Sequence, residues 1–121
     1  MTLAAQLDGA LQPGHGLRLA AFGDRSSGLV LQWRARGACP REELDLLGAR
    51  AADALGLADA CLGEGAAAPW VLRFTDQHCE VFAACPPDPE NFVALRAEPG
   101  RRVASVLAAA QELADAIGGS G

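Results

Sequence analysis

Residues 17–36 read LRLAAFGDRSSGLVLQWRAR, and this stretch decides the fold. Two apolar runs, 17–22 and 29–36, flank Gly23, Asp24, Arg25, Ser26, Ser27 and Gly28, a block of turn formers. In the second run Leu29, Leu31, Trp33 and Ala35 alternate with Gln32, Arg34 and Arg36. That period belongs to a half-buried strand, so the pair reads as an antiparallel hairpin.

On the amino-terminal side, Thr2 can cap a short helix to about Leu11, with Leu3, Leu7 and Leu11 on one stripe. Pro13, Gly14, His15 and Gly16 stop it. On the other side, Pro40 suits the first position of a helix, and Glu42 and Glu43 oppose the positive end of its dipole. Leu44, Leu47, Gly48, Ala51, Ala54 and Leu55 follow at helical spacing. Ala58, Cys61 and Leu62 prolong the stripe, so the helix over 40–55 has an open end across 56–62. Small residues at 63–69 form a linker.

Trp70, Leu72 and Phe74 alternate with Arg73 and Thr75 in a third strand, and a turn at 76–78 leads into a fourth, 79–85. The Pro-rich loop 86–91 cannot be crossed by a strand. A fifth strand covers 92–97, and Pro99 opens a last helix. Its apolar stripe is the cleanest in the chain: Val103, Val106, Leu107, Ala110, Leu113, Ala114 and Ile117. The order is α-β-β-α-β-β-β-α. It implies a single α/β (α+β) domain over 1–117, a five-stranded antiparallel sheet covered by helices, and a frayed tail at 118–121.

The chain has 121 residues, half of them apolar, and a net charge of −5. That length suits one domain with its own core. The acidic balance weighs against nucleic-acid and anionic-membrane partners. All ten cationic residues are arginine, and 26 positions are alanine. A GC-rich genome explains both, but the lack of lysine removes Schiff-base chemistry and the phosphate-binding P-loop. No stretch is long and apolar enough to span a membrane, and residues 1–12 lack a basic start. A cytoplasmic setting is therefore expected, with Cys39, Cys61, Cys79 and Cys85 as inert buried thiols.

Catalytic signals are sparse. The cysteines lack the close pairs of a zinc site, and neighbours His78 and Cys79 point apart on a strand. Cys39, just before a helix, could have a depressed pKa and act as a nucleophile, although no partner base can be named. Ser26 and Ser27 lack the nucleophile-elbow pattern, and no glycine run has the dinucleotide order. His15 reads as a solvated turn residue. No metal, cofactor or catalytic residue is expected. Two features break local rules. Arg101 and Arg102 sit where a helix dipole disfavours positive charge, to be neutralised by Asp88, Glu90 and Glu98 or by an acidic patch on a partner. The middle helix is rich in Gly and Ala, from composition or from tight packing against a symmetry mate.

The hairpin with its Gly-Asp-x-x-x-Gly turn, the Ala/Leu helix from Pro40, and the ending FVALRAEP (residues 92–99) before a long amphipathic helix together resemble the roadblock/dynein-light-chain family, with its profilin-like fold. The likeness covers nearly the whole chain, departing at the 63–69 linker and the 86–91 loop. It implies a homodimer formed through the middle helix and the adjacent strand, here Leu44, Leu47, Gly48, Ala51, Ala54, Leu55, Trp70 and Leu72. It also implies a non-enzymatic regulator or scaffold for a small Ras-like GTPase, which would itself bring the nucleotide. Arg25, Arg101 and Arg102 are then the candidates for contacting that partner. Two other readings compete. A type III secretion chaperone has similar size and acidity but resembles three strands before the middle helix and two after it. A small thiol-dependent catalyst would use Cys39.

Overall fold

The computed structural model describes residues 2–11, 16–63, 69–85, 88–98, 100 and 102–119. Its elements are α1 (Leu3–Ala10), β1 (Leu17–Asp24), β2 (Leu29–Ala35), α2 (Arg41–Leu62), β3 (Trp70–Phe74), β4 (Cys79–Ala84), β5 (Asn91–Ala97) and α3 (Val103–Gly119). This is the expected order. The Thr2 hydroxyl caps α1 by accepting the Ala5 N–H at 3.1 Å. Asp24 organises the β1–β2 turn: its Oδ2 accepts from the Ser26 and Ser27 hydroxyls and from the Ser27 N–H. These bonds hold its carboxyl below the usual carboxylate range, the Ser26 hydroxyl contributing most. Gly28 closes the turn at φ +69°.

The five strands form one antiparallel sheet in the order β2-β1-β5-β4-β3. α2 covers one face, burying Leu44, Leu47, Ala51 and Leu55 against Leu19, Ala21, Val30, Phe82, Phe92 and Ala94. α1 and α3 cover the other, where Leu7, Val106, Ala110 and Leu113 meet Leu17, Val81, Val93 and Leu95. A sheet covered on both faces explains why β4 and β5 read as nearly continuous apolar runs.

One expectation needs correction. The alternation of β2 does not hold, because Leu29 and Leu31 are exposed while Val30 is buried. Gly23 pairs with Val30 and Phe22 with Gln32, so Leu31 is the extra residue of a β-bulge. The bulge reverses the parity of the strand, and Val30, Trp33 and Ala35 all pack beneath α2. The end of α2, open in the sequence reading, falls at Leu62, the helix running unbroken through Gly56. Its Gly48 is needed inside the chain: a Cβ there would collide with the backbone oxygen of Gly28. The close approach read from the small residues is thus made by the hairpin turn. His15, most of the 63–69 linker, Pro86, Pro87, Pro99 and Arg101 lie outside the described residues.

Candidate functional site

Leu44, Leu47, Ala51 and Leu55 have no solvent exposure within the single chain, Gly48 is buried beneath the hairpin, and Ala54 is half-buried. In the single chain the buried five are spent on its own packing. Their stripe meets the chain's own sheet, which takes up the apolar face before any partner can. Trp70 (44% exposed) is on the surface and Leu72 is half-buried. Both lie on β3, an edge strand.

The outward surface of α2 carries a second stripe that sequence reading missed. Leu46 (60% exposed) and Leu57 (68%) flank Arg50 and Asp53 at helical spacings of four, three and four. A Leu at each end of a polar surface signals it, but the stronger inward stripe obscures it. On the β3 side of the helix, Arg50 donates from Nη2 to both Glu80 oxygens, at 3.2 and 3.0 Å. Asp53 has no hydrogen-bond or ion-pair partner among the described residues.

Glu80 on β4 has no solvent exposure, and four basic groups surround it. Besides Arg50 it accepts from Arg73 Nη1 on β3 at 2.9 Å and from Arg96 Nε and Nη2 on β5 at 3.1 and 3.0 Å. His78 Nε2 lies 3.7 Å away. Burial alone would raise the Glu80 pKa. The charge of Arg50, then the hydrogen bonds from Arg50 and Arg96, outweigh it and hold the carboxyl below its ordinary value. Arg96 also reaches Glu43 at 3.4 Å, which ties the start of α2 to β5. Arg50 Nε is buried without a partner among the described residues. Glu43, Leu46, Arg50, Arg73, His78 and Arg96 line an open cleft of about 370 Å³ between α2 and the β3–β4 turn. Glu80 was legible only as the single charge in an apolar strand. Its partners lie on three different elements, so nothing short of the strand order assembles them.

The free edge of β3 follows from its pairing with β4. Thr75 N–H donates to His78 O at 2.9 Å and Ala84 N–H to Pro69 O at 3.0 Å. In an antiparallel ladder such bonded pairs alternate, so residues 69, 71, 73 and 75 turn their backbone groups toward β4. The N–H and C=O groups of Trp70, Leu72 and Phe74 therefore point out from the sheet, and Phe74 is 60% exposed. β3 has no bulge along its register. The opposite edge, β2, has one, and α1 is held across it by Arg34 on Asp8 at 3.0 Å and by Arg36 on the Leu11 carbonyl. Among the described residues, one edge is blunted and the other is open.

The arginine candidates differ in use. Arg25 is an internal strut: its guanidinium joins Asp59 of α2 and the Pro89 carbonyl. Arg102 is exposed just before α3, and its carbonyl accepts from Ser105 and Val106. Glu98 pairs with Arg18 at 3.2 Å. Arg101 lies outside the described residues. Among the cysteines, Cys79 and Cys85 are buried, Cys39 is half-buried and Cys61 is exposed, which corrects the expectation of four buried thiols. Burial, reinforced by Glu43, pushes the Cys39 thiol up, so the depressed pKa expected of it is also corrected. Burial takes Cys85 up to about 12. Among the described residues no cluster of His, Cys, Asp and Glu could hold a metal ion, and no helix is long and apolar enough to cross a membrane.

No protein-family model and no curated protein matches the chain in sequence. Solved structures do match in shape. The gliding protein MglB of Thermus thermophilus superposes with a TM-score of 0.77 at 18% identity, over 98% of this chain and 90% of that one. An MglB described with a tetrameric arrangement gives 0.77 at 19% identity, over 96% and 85%. A roadblock/LC7 domain from Streptomyces avermitilis gives 0.75 at 16% identity, over 93% and 92%. With these matches end to end, and with two strands before α2 and three after it, the chain has the roadblock/LC7 fold.

Proposed function

We propose that the protein is a homodimeric, non-enzymatic regulator or scaffold that binds a small Ras-like GTPase and modulates its activity or location in the cytoplasm. The observation that carries this reading is the whole-length likeness to bacterial roadblock structures, MglB among them. The surface agrees with it. The outer stripe of α2 and the open edge of β3 lie side by side and leave Leu46, Leu57, Trp70 and Phe74 uncovered. The GTPase supplies the nucleotide, Mg²⁺ and P-loop lysine, and this chain supplies a binding face. Arg101 and Arg102 are the candidate contacts, because Arg25 is committed to Asp59. The secretion-chaperone reading gains nothing, since its expected order of three strands and then two is reversed here.

The test is purification of the tagged chain from its native host, followed by GTP turnover of any retained GTPase with and without the chain. A stoichiometric GTPase whose turnover or localisation changes when the chain is removed supports the reading. Retention of a secreted effector instead, or of no GTPase, overturns it. An Arg102→Ala variant that abolishes stimulated turnover while still binding would overturn the non-catalytic part of the reading.

A further inference from the structure

The guanidiniums at the cleft between α2 and the β3–β4 turn outnumber the acceptors that hold them. Glu80 already receives five hydrogen bonds from Arg50, Arg73 and Arg96. A carboxylate offers about four lone-pair positions, so Glu80 can take no further donor. Arg50 spends only Nη2 on it and Arg73 only Nη1. Nη1 of Arg50 and Nε and Nη2 of Arg73 therefore have no acceptor among the described residues. Arg50 Nε is buried without one. Packing has placed these two side chains without satisfying their own donors.

The charges are ordered as well as numerous. Three cations stand within ion-pair reach of two carboxylates, since Glu80 takes all three and Glu43 meets Arg96. One positive charge is left over on the inner wall. Asp76 lines the same cleft, is exposed, and forms no ion pair among the described residues. An anion with one charge is attracted to the inner wall, whereas a second charge on it would face Asp76. Leu46, 60% exposed, supplies an apolar edge to the cleft. Its volume of about 370 Å³ is at the small end of ligand sites, which run from roughly 300 to 1,000 Å³.

We infer that this cleft is a binding site for a small monocarboxylate with a short apolar body. The carboxylate accepts from the free donors of Arg73 and Arg50, whose planar forks match its two oxygens. Glu80 holds both guanidiniums in place before the ligand arrives, which lowers the cost of ordering them. The apolar body lies along Leu46. His78 stands beside the site, its Nε2 3.7 Å from Glu80. Its pKa is held down by burial first and by Arg96 second, with Arg73 and Arg50 adding to the effect and Glu80 opposing it. A carboxylate bound next to it adds a negative charge and brings that pKa back up. The site is independent of the GTPase reading and goes beyond it.

The experiment titrates the full chain with butyrate at constant ionic strength and follows the His78 ring signals by nuclear magnetic resonance. Saturable one-site binding is expected at about 1–10 mM, the range open to a ligand of this size, together with a rise in the His78 pKa. Arg73→Gln should weaken binding about tenfold or more. Arg34→Gln, which removes the same charge from the opposite sheet edge, should leave it unchanged. If Arg73→Gln does not fold, Arg73→Lys replaces it: that variant keeps the charge and loses the fork, so weaker binding supports the site and unaltered binding overturns it. Failure of butyrate to saturate the protein overturns the site. So does binding that withstands Arg73→Gln or is lost equally in Arg34→Gln. Inorganic phosphate, mostly a dianion above neutral pH, is the comparator: tighter binding of phosphate than of butyrate overturns the monocarboxylate assignment.

Discussion

Glu80 sits in the interior as an acidic side chain between two apolar neighbours, and three guanidiniums make that burial tolerable. Breaking a buried ion pair from one side costs about 3–5 kcal/mol, because the opposite charges stay behind uncompensated. Glu80→Gln keeps the shape and loses the charge, so its urea unfolding free energy should fall by about that much. The pH dependence has a definite sign. The unfolded carboxyl titrates near 4.5 and the folded one lower, so its contribution is whole above 4.5 and is lost as pH falls through the folded value. His78 is also depressed, by burial first and by Arg96 second. Its contribution is whole above 6.5 and is lost as pH falls through its own folded value. Wild-type stability should therefore fall in two steps on acidification, with His78→Asn removing the upper step and Glu80→Gln the lower. An unchanged acid limb in Glu80→Gln would contradict this account. None of it was legible from sequence spacing, because Arg50, Arg73 and Arg96 meet only once β3 and β5 are known to flank β4.

At the scale of the element, α2 separates composition from packing. Its small residues match the Ala and Gly richness of the whole chain, yet two of its glycines stand in opposite circumstances. A Cβ at Gly48 would strike the Gly28 carbonyl, which is backbone and cannot rotate away, whereas a Cβ at Gly56 would meet nothing within 4 Å. Gly48→Ala should destabilise by about 1–3 kcal/mol through forced separation of helix and hairpin. Gly56→Ala, in an exposed turn of the same helix, should stabilise by about 0.4–1 kcal/mol by restricting the unfolded chain. Thermal melts of the two variants should move in opposite directions. If both move the same way, packing does not distinguish these sites. The helix and the inward Leu44–Leu55 stripe were plain in the periodicity. The face it offers to solvent was not, since an inward stripe and an interface stripe look alike until the sheet takes one of them. The same limit applies to β2, where one bulged residue, Leu31, turns a clean alternation inside out.

For the whole molecule, the question is whether one chain is the folding unit. A single copy satisfies its core, since both sheet faces are covered and the β2 edge is blunted. It leaves β3 open and two large leucines of α2 more than half exposed. If the native state is the dimer, association is part of stability, and the melting temperature must rise with protein concentration. The size of that rise follows from the length. Each tenfold increase in concentration adds about 1.4 kcal/mol per mole of dimer at 25 °C. Unfolding two copies of a 121-residue chain, at about 2.1 cal/mol/K per residue, releases roughly 0.5 kcal/mol/K. The midpoint should then climb by about 3 °C per decade of concentration. If the dimer forms through the outer face of α2, Asp53→Arg, which sets a second cation beside Arg50 there, should give a midpoint that is lower and flat across the same range. A wild-type midpoint independent of concentration, together with a monomer mass, would make one chain the complete unit and would require the open β3 edge to be matched to a different partner.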